Sequence, residues 1–108
     1  MSHERQAATE WMILDTGAEM TLIPWSTGRV LGFERGRREA ARWMGGIGGR
    51  VGYVERRLTL GWDGGELTGR VAWAQTDGLP ALLGRSDFLD RLDVAFYGPA
   101  RRFTIRRP

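Results

Sequence analysis

Apolar and polar positions alternate along this chain in short bursts, never over the length of a long amphipathic helix. In the first burst Trp11, Met12, Ile13 and Leu14 run into Asp15, and Gly17 two places later lets the backbone turn. The pattern predicts a strand over 11–15, a tight loop, and a second strand over 20–23 that Pro24 ends. Ser26 is placed to cap a helical turn reaching Leu31, with Gly32 as its stop. Residues 34–42, with four arginines and two glutamates, read as a solvated strand. Gly45, Gly46, Gly48 and Gly49 then surround Ile47 between strand-like flanks, the pattern of a hairpin tip that can move. A long strand over 51–62 meets the turn signal Asp63-Gly64-Gly65. On the returning strand Leu67, Gly69, Val71 and Trp73 share one face by period-two alternation. Thr76-Asp77-Gly78 is a loop and 79–83 is apolar; Ser86 or Asp87 is placed to cap a short helix through Leu92. Two short strands, 94–97 and 103–105, flank Gly98-Pro99. Trp11 and Trp73 have the spacing of core residues, while Trp43 stands at the base of the glycine-rich hairpin, in reach of whatever lies beneath. The expectation is a mostly-β domain over 11–108 behind a polar segment, 1–10.

Composition narrows the function. At 108 residues the chain holds one core and is too short for a bilobed enzyme. It has no cysteine, and its single histidine, His3, lies in the polar N-terminal segment, so cysteine chemistry, a Ser-His-Asp triad and a histidine-rich metal site are set aside. No metal or cofactor is expected. All 16 basic residues are arginine, and the net charge is +3, with Arg101, Arg102, Arg106 and Arg107 crowding one end. The 13 acidic residues and the lack of a nucleic-acid motif argue against a nucleic-acid partner. No apolar run approaches the roughly 20 residues of a membrane span and no signal peptide is visible, so a soluble, cytoplasmic protein without a membrane partner is expected.

The candidate chemistry centres on Asp15. An Asp at the end of an apolar strand carries an expensive charge. An Asx-type turn, the carboxylate bonding its own backbone near Gly17, is the ordinary structural explanation. The wider stretch, apolar-apolar-Asp15-Thr16-Gly17-Ala18-Glu19-x-Thr21, resembles the active-site stretch of the retropepsins, the retroviral-type aspartic proteases. Two later stretches resemble the same family in the same order: the glycine-rich residues 44–51 its flap, and Pro80-Ala81-Leu82-Leu83-Gly84-Arg85 its apolar-apolar-Gly-Arg segment.

The resemblance implies a closed acid-protease β-barrel half with one short C-terminal helix, assembling as a homodimer. Peptide hydrolysis by aspartate needs two carboxyls sharing one proton. One Asp-Thr-Gly per chain therefore implies that Asp15 meets its mate on a two-fold axis. By resemblance Asp15 is catalytic, Thr16 bonds across the axis, and Gly17 presents its carbonyl to substrate. Ala18, Glu19, Gly45, Gly46, Ile47, Gly48, Gly49, Pro80, Ala81 and Leu82 border a peptide or protein substrate. Glu19 and Arg85 form a structural ion pair. In the family the dimer is sealed by interleaved N- and C-terminal strands, and residues 103–105 are placed to give the C-terminal share. Retroviral enzymes carry Asn or Asp directly after the Gly-Arg, whereas here Ser86 intervenes before Asp87. The implied activity is an aspartic endopeptidase. Its rival is a catalytically silent dimerisation or peptide-binding module on the same fold.

Overall fold

The structure is a computed structural model and describes residues 6–46, 49–92 and 100–108. Its elements are β1 (Ala7–Leu14), β2 (Thr21–Ile23), α1 (Trp25–Val30), β3 (Arg42–Gly46), β4 (Gly49–Trp62), β5 (Gly65–Ala74), β6 (Ala81–Leu83), a 3-10 turn (Leu89–Arg91) and β7 (Ala100–Arg106). The strand order is β3-β4-β5-β2-β6-β1-β7, and β7 returns to β4 through pairs such as Leu60 with Ile105. β4, β5, β2, β6, β1 and β7 thus close a six-stranded barrel, and β3 stands outside the ring on β4. Closure leaves no free edge within the ring, which a mostly-β chain of this size needs to stay unaggregated.

Alternation fills the barrel. Met12, Ile23, Leu58, Leu60, Val71 and Trp73 point inward and are essentially inaccessible. The face expected for β5 is the face observed, with Gly69 set against the ring of Phe88. α1 plugs one end. Trp73 lays its indole over Gly28 and donates from Nε1 to the carbonyl of Trp25 at 3.0 Å, an approach that a side chain at 28 would block.

Several expected elements differ. β1 begins at Ala7, inside the segment read only as polar, because Ala7 to Ile13 pair antiparallel with β7. Residues 103–105, expected to serve a dimer seal, pair here within the chain, with β1 and β4. Phe103 and Ile105 are buried in their own barrel. Trp11 is 64% exposed, since Met12 takes the inward position beside it. α1 starts one residue before Ser26, and Ser26 does not cap it. Asp77 does so from the loop after β5, accepting from the N–H and Oγ of Ser26 at 2.9 and 2.8 Å. The chain then leaves α1 through Gly32 at φ +84, the expected stop. No strand forms over 34–41, which is held as a loop. Glu39 takes two 2.6 Å hydrogen bonds from the Arg56 guanidinium and one from the Gly36 N–H. The helix expected after Ser86 shrinks to the 3-10 turn, because the Asp87 carboxylate is engaged by Arg70 instead of capping. The strand expected over 94–97 lies outside the described residues. Among the described residues no helix is long and apolar enough to cross a membrane.

Candidate active site

β1 delivers Asp15 to one end of the barrel. It is gripped on both sides, parallel to β6 through Met12–Ala81, Ile13–Leu82 and Leu14–Leu83, and antiparallel to β7. The grip extends one residue past the strand, where the Asp15 N–H donates to the Leu83 carbonyl at 3.0 Å. The chain then turns tightly. Ala18 N–H donates to the Asp15 carbonyl at 3.0 Å, and Gly17 N–H donates to Asp15 Oδ1 at 2.9 Å. The Asx-type bond is thus present and fixes one carboxylate oxygen. The other, Oδ2, has no hydrogen bond within the described residues, and Asp15 is half-buried.

The loop is fastened from below by the segment after β6. Arg85 N–H donates to the Ala18 carbonyl at 3.0 Å and Ser86 N–H to the Glu19 carbonyl at 2.8 Å. Thr21, wholly buried, accepts the Gly84 N–H on its hydroxyl at 2.9 Å. Gly84 lies so close to Met20 that a β-carbon there would sit 2.5 Å from the Met20 carbonyl carbon and oxygen. Sequence reasoning quoted Thr21 within its motif but gave it no task. Its signal was a hydroxyl at an otherwise apolar position of a three-residue strand.

The expected Glu19–Arg85 ion pair does not form among the described residues. Both side chains are exposed, where pairing gains little, and the backbone bonds already join the two stretches. The acid that does pair in this segment is Asp87, held in the left-handed region at φ 67. Its carboxyl is pulled down to about 2, chiefly by hydrogen bonds from the Arg70 guanidinium and then from the Arg70 N–H.

Beside Asp15 the outer face of the sheet carries an apolar row. Register aligns Ile13 with Leu82, Leu82 with Leu22, and Leu22 with Ala72 across four neighbouring strands. The hairpin of β3 and β4 folds over this face. Met44, Val51 and Tyr53 on its underside pack in one cluster with Leu22, Ala72, Ala74, Leu82, Met20 and Leu79. The described residues thus form two apolar clusters, one sealed inside the barrel and one between its outer face and the hairpin.

The candidate substrate residues divide on this geometry. Leu82 faces the outer cluster, while Ala81 points into the sealed core at 3% exposure, so its side chain is withheld from any substrate. Pro80 is exposed, Thr16, Gly17 and Glu19 are exposed on the loop, and Ala18 is half-buried. Gly45, Gly46 and Gly49 are in the hairpin, with Gly46 opposite Gly49. Ile47 and Gly48 lie outside the described residues. Trp43 stands on the hairpin's outer face, 60% exposed, with the Arg50 guanidinium 5.1 Å from its ring centroid, and so faces away from the cleft. Ile13, missed by sequence reasoning as a cleft residue, is 39% exposed two positions before Asp15.

No family model and no curated protein matches the chain. Solved structures do. The EIAV protease in complex with the inhibitor HBY-793 superposes with a TM-score of 0.60 at 25% identity, over 83% of this chain and 88% of that one. The fold is retropepsin-like: mostly β, a closed six-stranded barrel with almost no helix.

Proposed function

We propose that the chain is an aspartic endopeptidase that acts as a homodimer. The observation that carries this reading is the placement of Asp15. It ends a strand gripped from both sides, one oxygen fixed and the other open, beside an apolar floor under a hairpin. The same fold is found in a protease solved with an inhibitor.

In this reading Asp15 and the partner's Asp15 share one proton across the axis, as two carboxyls about 3 Å apart must. The ionised carboxylate takes a proton from a water, whose oxygen attacks the peptide carbonyl carbon; the protonated carboxyl gives its proton to the carbonyl oxygen. Proton return to the amide nitrogen then lets the C–N bond break. Thr16 bonds across the axis; its hydroxyl is exposed and has no partner within the described residues, which supports that role. Gly17 offers its carbonyl to a peptide lying extended along strand edges. Apolar side chains are preferred, set by Ile13, Leu82, Met44 and Val51.

The rival, a silent peptide-binding module, draws support from the pairing of β1 with β7 within one chain. A peptide-cleavage screen between about pH 4 and 7, run on wild type and Asp15→Asn with mass measured in solution, separates the two. Cleavage by wild-type dimers that Asp15→Asn abolishes is the expected result. Cleavage retained in the variant, or confined to monomers, refutes the shared-dyad mechanism.

A further inference from the structure

A groove of about 770 Å³ runs over the outer face of β7. Trp11 from β1 forms one wall and Trp62 from the end of β4 the other, with Gly61, Arg102 and Thr104 between them. Strand alternation decides which side chains face it. Met12, Phe103 and Ile105 are buried, so Trp11, Arg102, Thr104 and Arg106 point outward. Register sets Trp11 directly opposite Arg102. At the Trp62 end charge is balanced, since Arg106 donates from Nη2 to Glu66 at 2.7 Å. Arg102 has no ion pair among the described residues.

β1 joins this groove to the active site. Ile13 lies on the same outward face as Trp11, about 7 Å further along the strand, and begins the apolar row that floors the cleft. The exposed face of β1 is therefore continuous from the groove to Asp15.

We propose that the groove is an extension of the substrate cleft, taking the distal part of an extended peptide with an aromatic side chain against Trp11 and an acidic one against Arg102. This rests on the proteolytic reading above. A peptide seated at Asp15 reaches Trp11 about four extended residues from the scissile bond, the strand distance between those two positions. Aromatic pairing suits an exposed indole, and the guanidinium fork suits a single carboxylate. A polyanion fits poorly, because Asp63 and Glu66 line the opposite wall.

The test takes the best-cleaved peptide of the screen and extends it, at each end in turn, by Phe-Glu-Phe-Glu or by Ala-Ser-Ala-Ser. For wild type the acidic-aromatic extension at one end lowers KM about fivefold relative to the other extension, with kcat unchanged. Trp11→Ala and Arg102→Ala each erase the difference and leave turnover of the unextended peptide as it was. Equal KM for the two extensions, or a preference that survives both substitutions, overturns the proposal. So does a Trp11→Ala variant that changes mass in solution rather than KM, since the face is then a contact between copies. If the screen finds no cleavage at all, fluorescently labelled Phe-Glu-Phe-Glu is titrated alone. Binding lost in Trp11→Ala then supports the groove while the proteolytic reading falls, and absence of binding overturns the groove as well.

Discussion

At Gly84 a β-carbon would lie 2.5 Å from the carbonyl group of Met20; at Gly45, in the hairpin, it would meet nothing within 4 Å. One lies beneath the Asp15 loop and the other in the hairpin above, and they are glycine for opposite reasons. Below the Asp15 loop glycine lets two backbones touch, so that Thr21, Ala18 and Glu19 can be bonded from Gly84, Arg85 and Ser86. In the hairpin it removes side chains from a segment that already has space. The proposed proteolytic function needs this division, because a reacting group must be held in place while a cover over it opens. Each region also has its own ion-paired carboxylate. Asp87 with Arg70 holds the segment below the loop, and Glu39 with Arg56 holds the loop leading into β3.

The comparison breaks most visibly at Gly84. In Gly84→Ala the new methyl meets the Met20–Thr21 backbone, which cannot step aside, and a loss of about 3 kcal/mol is expected. For a domain of this size the melting temperature should fall by more than about 10 °C, measured by thermal unfolding. An unchanged melting temperature would mean that Gly84 and Met20 are not in fixed contact.

Acid titration tests the paired carboxylates. Hydrogen bonds from Arg56 pull Glu39 from its ordinary 4.5 to about 2, and those from Arg70 pull Asp87 from 3.8 to about 2. Both folded values are depressed, so the stability each contributes is complete above the ordinary value and is lost as pH falls through about 2. Glu39→Gln should unfold about 1 kcal/mol more easily than wild type near pH 6, with the gap closing as pH falls from 4.5 toward 2. Denaturant curves across that range measure it; a gap independent of pH would show that the ion pair contributes nothing to the loop.

The smallest effect on stability is expected at Gly45. Gly45→Ala meets no neighbour, so stability should stay within about 0.5 kcal/mol of wild type. Turnover of the proposed enzyme should slow a fewfold as the hairpin stiffens. Equal losses at Gly45 and Gly84 in a thermal melt would erase the distinction drawn between them.

What the sequence made legible were the features set by local rules. The turn at Asp63-Gly64, the alternation of β5 and the abrupt stop at Asp15 all follow from neighbours in the chain. The unread parts depend on partners far away. Ala7 to Glu10 has no strand pattern of its own and is a strand because β7 lies beside it. Residues 34–41 have strand-compatible spacing yet form a loop, because Arg56 on β4 captures Glu39 and the Glu34 carbonyl. At the site the motif located Asp15, but a one-residue difference in facing decided that Leu82 and not Ala81 borders the cleft. The ion pair inferred for Glu19 and Arg85 is absent for a similar reason: backbone hydrogen bonds hold the two distant stretches together but do not aim the side chains.

The pairing of β1 with β7 also governs the order in which the molecule can assemble. Ala7 lies opposite Arg106, so the contact that shuts the barrel spans nearly the whole chain. Contacts of such long sequence separation close late, after the entropy of a large loop has been surrendered. During synthesis β1 emerges from the ribosome well before its partner β7. Through that interval β1 and the end of β4 present the edges that β7 will cover, and a nascent chain is exposed to pairing with its neighbours until β7 arrives.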